Sequence, residues 1–391
     1  MVRKPYYSKL FPNAVWLLPL VLGIIGFTLP RTVVAAPTMD TNDFWVGGDI
    51  SFLSKIEQLG GVYKDHGLPG DALQIFKRRG ANTMRLRLWV HPDGQGMNIS
   101  DLPYTLALAQ RVKKAGFKLL LDIHYSDTWA DPGHQSKPAA WKDLSFYQLT
   151  EQVETYSRET IAAFRKGGAM PDMVQIGNET PNGMLWPEGK VEETGGWKRY
   201  GTLLKAAISG VKAGSLPMKS PLIMIHINNA AQSGLATWFF DNLKAEEQGI
   251  QFDVIGLSYY PEPSMRLEEL KKSLAIIANK YHKPIVIAET GYPSGGIPVE
   301  EQAKWDFPPT PDGQRAFLHA LITTVRDTPL GLGRGVIWWE PEWVPINGLG
   351  HYYGDKMLFD RDFNALPALD ALTAKPSKQA QSHSYLKGTN K

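Results

Sequence analysis

Eight short apolar runs recur along the chain, at residues 45–51, 83–89, 118–125, 173–179, 222–228, 252–260, 284–291 and 335–341. Most are near-continuous and rich in β-branched residues, as expected of parallel strands buried on both faces. Helix-period patterns lie between them, including 102–115, 149–167 and 267–281. Alternation of strand and helix predicts a parallel sheet. Eight repeats predict its closure into a (β/α)8 TIM barrel, class α/β, forming a single catalytic domain. No fixed-period sequence repeat accompanies the alternation.

The polar residues of these runs collect at one end. Asp49 lies late in the first run, and Arg85 and Arg87 late in the second. His124 and Asp127 close the third, Asn178 and Glu179 the fourth, and His226 and Asn228 the fifth. Tyr259 and Tyr260 close the sixth, Glu289 the seventh, and Trp338, Trp339 and Glu340 the eighth. Barrels of this type carry their active sites at the C-terminal ends of the strands. Scattered surface charges would not choose the same end of eight strands, so the pattern predicts one functional mouth.

Composition adds limits to this picture. The 391 residues are 43% hydrophobic, enough for one large core, and no Ser-, Gly- or Pro-rich linker divides them. The catalytic domain is expected over 37–374, followed by a polar tail, 375–391, expected to be disordered. Residues 1–36 read as a secretory signal: Arg3, Lys4 and Lys9 open it, 14–29 is apolar, and Val34, Ala35 and Ala36 offer a cleavage site. Pro19, Gly23 and Gly26 interrupt the apolar run, which falls short of the roughly 18 to 20 residues a membrane span needs. Export with cleavage near Ala36, to the exterior or a periplasm, is therefore expected over a stable membrane anchor. The absence of cysteine excludes disulfides and lipoprotein attachment.

Removing the four basic residues of 1–36, which holds no acidic ones, turns the formal charge of +3 into −1. Such a chain has no basic stripe, so no nucleic-acid partner is expected. The 12 Trp and 15 Tyr of the full sequence suit a neutral, flat-faced ligand such as a sugar chain.

Glu179 in QIGNE and Glu289 in VIAET interrupt otherwise apolar strands. A buried carboxylate is costly unless paired or hydrogen-bonded. Either a core arginine satisfies both, or they are the acid and the nucleophile or base of a glycosidase. The fourth and seventh strands lie on roughly opposite sides of an eight-strand ring, so the two side chains can meet across its mouth. Arg85 reads either as the cation holding one glutamate ionised or as an interior ion pair. Asn178 could hydrogen-bond a sugar hydroxyl, and Trp339 could floor a sugar ring. The nine histidines include no HExxH pair, and neither a GxSxG elbow, a Walker-type loop nor a dinucleotide fingerprint occurs. Asp360 and Asp362 lack an EF-hand-like frame.

The segments RLRLWVHPDG (85–94), LDIHYSDTWADPGHQSKPAAW (121–141), QIGNETPNGMLWPEG (175–189), VIAETGYP (286–293) and WWEPEWVP (338–345) resemble glycoside hydrolase family 53. These are the arabinogalactan endo-β-1,4-galactanases of clan GH-A, and the likeness runs from about Trp45 to Leu372. It implies a retaining double displacement on β-1,4-galactan, the side chain of pectin, with Glu179 as acid/base and Glu289 as nucleophile. It also implies that Asn178 meets the 2-hydroxyl of the sugar at the cleavage point, and that Arg85 and Tyr260 support the nucleophile. Asp49, His124, Asp127, Trp129 and Trp339 match groove positions, and His226 joins them as a substrate-side residue at the tip of the fifth strand. The partner expected is the polysaccharide alone, met by a monomer with no required cofactor.

Three departures qualify the likeness. Asn228 stands in HINNA where an aspartate is usual, NETPNG replaces the commoner NEINGG, and 291–315 lacks the Asp/Asn density of the calcium loops found in bacterial members. No metal site is therefore expected, and structural calcium stays open. The alternatives are another clan GH-A endo-glycanase, acting on mannan or glucan, and a non-catalytic sugar-binding barrel.

Overall fold

The computed structural model describes residues 39, 43–246, 250–262, 265–349 and 355–373. The expected signal segment and polar tail lie outside them. Eight parallel strands close into a barrel: β1 (Trp45–Asp49), β2 (Thr83–Leu88), β3 (Lys118–Ile123), β4 (Met173–Ile176), β5 (Leu222–Ile227), β6 (Val254–Tyr259), β7 (Ile285–Thr290) and β8 (Gly333–Trp339). Each strand pairs with its sequence neighbours, and β1 closes the ring on β8. The (β/α)8 architecture read from the apolar runs is the one observed. A two-stranded hairpin, Lys64–Asp65 with Leu68–Pro69, is an addition the runs did not announce.

The helices between strands begin where their sequences provide caps. Asp71, Asp101 and Thr310 each accept the third backbone N–H of the helix they open. Ser145 and Gln148 form a reciprocal capping box at the start of Phe146–Lys166. That helix packs closely on Gly196–Ser215. A side chain at Gly210 would meet the Glu154 carbonyl oxygen at 2.2 Å, so only glycine permits the approach.

Strand alternation sorts side chains into two cores. Outward residues such as Leu86, Leu119, Leu121, Ile225 and Leu257 pack under the helices in one large cluster. Inward residues of the lower barrel (Trp45, Leu120, Met173, Leu222, Met224, Val254, Val286, Ala288 and Ile337) form a second, wholly apolar cluster. Two or four residues further along five of these strands the inward residues become Asp49, Asp122, Gln175, His226 and Ser258, and β2 adds Arg85 and Arg87, all buried. The barrel therefore has an apolar floor and a polar upper storey.

Glu289 reaches that storey through an irregularity. Strict alternation would place it with Ile285 and Ile287, which face the helices. The β6–β7 register instead steps from Leu257↔Ile287 to Ser258↔Glu289, leaving Ala288 as the extra residue. Such a bulge re-aims the side chain that follows it. Glu289 turns inward.

Candidate active site

Arg85 is the hub of the upper storey and has no exposed surface. Its Nη1 donates to Asp49 Oδ2 at 2.8 Å and its Nη2 to Asp122 Oδ2 at 2.7 Å and Asn178 Oδ1 at 2.9 Å. The same Nη2 lies 2.8 Å from Glu289 Oε1. Tyr260 donates its hydroxyl to Glu289 Oε2 at 3.2 Å, while Tyr259 turns outward and donates to the Met265 carbonyl. Of the two adjacent tyrosines, Tyr260 is the one at the mouth.

Glu179 comes from the tip of β4. The chain leaves the strand at Ile176 and takes left-handed backbone at Gly177 (φ 75°) and again at Glu179 (φ 44°). For a glutamate this conformation costs on the order of 1–3 kcal/mol and persists only where the surroundings over-determine it. Here Gln135 donates to the carbonyls of Asn178 and Glu179, and Asn178 Nδ2 donates to the Ala130 carbonyl at 2.8 Å. The half-buried Glu179 then shares a cavity of about 250 Å³ with Glu289, Ser258, Tyr260 and Asn228. Asn228 brings to it a buried Oδ1 with no protein partner.

The remaining expected residues separate into two groups. Trp129 and Trp339 are half-buried with ring centroids 6.3 Å apart, and the Arg87 guanidinium sits 4.4 Å from the Trp129 centroid. Asp49, His124 and His226 are buried beneath the mouth instead of lining it. His124 Nδ1 accepts from the Ala130 amide, and its Nε2 lies 2.9 Å from Asp122 Oδ2. Asp127 accepts from the amides of His91 and Ala139, tying two loops together.

The sequence profile of glycosyl hydrolase family 53 matches residues 45–372, the entire barrel. This chain belongs to that family. It is 36% identical over 362 residues to the arabinogalactan endo-β-1,4-galactanase of Cellvibrio japonicus, covering 88% of this chain and 94% of that protein. The catalytic domain of a family 53 protein from Ignisphaera aggregans superposes with a TM-score of 0.78 at 33% identity, over 87% of this chain and 97% of the other. A structure of fungal β-1,4-galactanases gives 0.76 at 32% identity, over 84% and 99%. The protein is thus a glycoside hydrolase.

In this family 53 enzyme the two glutamates differ electrostatically. Burial and the neighbouring Glu289 charge push the Glu179 carboxyl up to about 8, against the opposing pull of a Ser258 hydrogen bond and of Arg85. Glu179 is therefore protonated at neutral pH. Burial also raises Glu289, but its direct contact with Arg85 favours the ionised form. Beside them, burial pushes Glu340 up to about 8 despite Arg87, and Glu342 well above the carboxylate range.

No group of three or more His, Asp or Glu among the described residues could hold a metal ion. The loops after β7 and β8 are joined through protein atoms: Ser294 donates its amide and hydroxyl to the Asp355 carbonyl, and the Asp355 carboxylate faces Arg361 at 3.0 Å. Asp360 caps its own turn, accepting from the amides of Asp362 and Asn364.

Sequence reasoning missed Asp122, Gln175 and Ser258 as members of the site. Each is a single polar residue inside an apolar run at an inward position, and that was the available signal.

Proposed function

We propose that the protein is a retaining endo-β-1,4-galactanase, with Glu289 as nucleophile and Glu179 as acid/base. The observation that carries the reading is the unequal setting of two glutamates on one cavity. Glu179, pushed up to about 8, faces Glu289, whose carboxyl contacts Arg85 and Tyr260. In the first step Glu289 attacks the anomeric carbon while Glu179 gives its proton to the departing glycosidic oxygen, forming a glycosyl ester on Glu289. Esterification removes the Glu289 charge, one of the causes of the raised Glu179 affinity for protons. Glu179 then ionises more readily and serves as base for the water that releases the sugar.

Asn178 would present its amide to the 2-hydroxyl of the sugar at the cleavage point, and Asn228 an acceptor to a neighbouring hydroxyl. Trp129 and Trp339 would supply aromatic faces for sugar rings. Arg85, Asp49, His124 and His226 support these groups from below, and Asp127 holds the loop carrying Trp129. The substrate class, β-1,4-galactan, follows the activity named for the Cellvibrio japonicus relative, and its source in the side chains of pectin follows the family resemblance. We further propose an exported monomer that requires no cofactor. No helix among the described residues is long and apolar enough to cross a membrane.

The test is hydrolysis of a polysaccharide panel, with the anomeric form of the first product followed by NMR. Galactan should be cleaved internally to β-anomers. Cleavage of mannan or glucan with none of galactan would overturn the substrate, and initial α-anomers would overturn the mechanism.

A further inference from the structure

We propose that Gln175, His226 and Ser258 form a hydrogen-bond relay of fixed polarity, which starts at Arg85 and delivers a hydroxyl donor to Glu179. Ser258 and His226 are then positioning residues for the acid/base, an inference that rests on the role given to Glu179 above.

The polarity follows link by link. A guanidinium can only donate. Arg85 Nε approaches Gln175 Oε1 at 3.3 Å, which fixes the Gln175 amide with its oxygen toward Arg85 and its nitrogen away. The Gly177 carbonyl, 3.1 Å from Nε2, holds the same orientation. Gln175 Nε2 then meets His226 Nδ1 at 2.9 Å, and the Glu179 backbone N–H points at the same atom from 3.4 Å. Two donors converging on Nδ1 require it to carry a lone pair. Asn178 Oδ1 also lies 3.0 Å away, but it already accepts from Arg85 Nη2 at 2.9 Å.

The His226 proton is thereby assigned to Nε2, which sits 2.9 Å from Ser258 Oγ. Burial and the Arg85 charge keep the ring neutral, so Nδ1 does not gain a second proton. Ser258 Oγ accepts from the ring and has its own proton left to give into the cavity that it lines together with Glu179, where its hydroxyl opposes the upward shift of the Glu179 carboxyl. A hydroxyl has one hydrogen, so it ties one carboxylate oxygen and leaves the other for proton transfer.

The consequence concerns how the two glutamates are linked. Arg85 touches Glu289 directly and reaches Glu179 through three intervening side chains, so one cation organises both. The donor from Ser258 favours ionised Glu179, the form needed in the second step, and limits how far burial can raise it. The other charged and titratable groups facing Glu179 are Glu289 from β7, Arg85 from β2, Asp131 from the loop after β3, neutral His226 from β5, and Tyr260 and Glu262, which line the same cavity after β6.

The experiment is the pH profile of kcat/KM on galactan for the wild type, Ser258→Ala and Ser258→Thr. Losing a hydrogen bond to a carboxylate should move the alkaline limb of Ser258→Ala upward by about one pH unit. Ser258→Thr, which keeps the hydroxyl, should return the limb to its wild-type position. A limb that moves down would mean that Ser258 accepts from protonated Glu179, reversing the relay. An unmoved limb would mean that no donor acts. Either result overturns the proposal.

Nitrogen-15 NMR of His226 in the intact wild-type protein gives a reading independent of any variant. An Nε2–H tautomer is expected, and an Nδ1–H tautomer would also overturn the relay. Glu179→Gln separates the two levels: full activity in that variant would remove the acid/base role itself, whatever tautomer His226 shows.

Discussion

The two storeys of the barrel interior are built within one ring of eight strands, yet they work by different physics. The floor, including Met173, Leu222, Met224, Val286 and Ile337, is held by apolar burial, which has no direction. The upper storey, centred on Arg85, Asp49, Asp122, Gln175 and His226, is held by hydrogen bonds whose donors and acceptors must match. A floor residue can be exchanged for another of similar volume. An upper residue cannot be exchanged even for one of similar charge.

The sharpest break of this contrast is chemical. Glu289→Ala should lower kcat by a factor on the order of 10⁴ or more while leaving oligosaccharide binding measurable by calorimetry. Unchanged turnover would remove the nucleophile assignment. Next in size is Arg85→Lys, which keeps the charge but cannot reproduce contacts to Asp49, Asp122, Asn178 and Glu289 together. We expect a loss of about 3–5 kcal/mol in urea unfolding, as for a broken buried ion pair, and a large fall in kcat. Near-wild-type stability would show that the hub is less cooperative than its geometry implies.

Much of this plan was legible in the sequence, and what escaped has physical causes. The apolar runs located all eight strands because parallel strands buried on both faces leave continuous hydrophobic text. Their ends were read too long at β4, where Gly177 and Glu179 leave strand backbone for left-handed conformations. The eighth strand begins at Gly333 and not at 335, since Gly333 and Arg334 look like loop in sequence. Glu179 and Glu289 stood out as acids in apolar runs, but the register step at Ala288 that turns Glu289 inward is a pairing event between two strands. Asp122, Gln175 and Ser258 were overlooked because a lone polar residue gains meaning only when the ring brings Arg85 and His226 beside it. The expectation that Asp49, His124 and His226 belong to the groove named the right neighbourhood, but whether a side chain lines a mouth or lies beneath it depends on depth along the strand.

Smaller effects sharpen the comparison further. With Glu179 titrating near 8, activity should fall as pH rises through that value, because the first step needs its proton. A profile flat to pH 10 would contradict the raised affinity.

Glu340, also raised to about 8, prefers its neutral form in the folded state. Its stabilising contribution is whole below the unfolded value of about 4.3 and is lost as pH climbs from there through 8. Glu340→Gln should therefore flatten the decline of Tm between pH 5 and 8, and an equally steep decline would place the cause elsewhere. Smallest is Met224→Leu in the floor, expected to cost less than about 1.5 kcal/mol and to leave kcat unchanged. A fall in kcat there would dissolve the distinction between storeys.

The central claim is that the upper storey gives its two glutamates opposite roles. Azide rescue on an activated aryl β-galactoside tests this most directly. Glu179→Ala should yield the β-galactosyl azide, formed from the intermediate on Glu289, and Glu289→Ala the α-azide, formed by direct attack. The reverse pairing of products with variants would contradict the account.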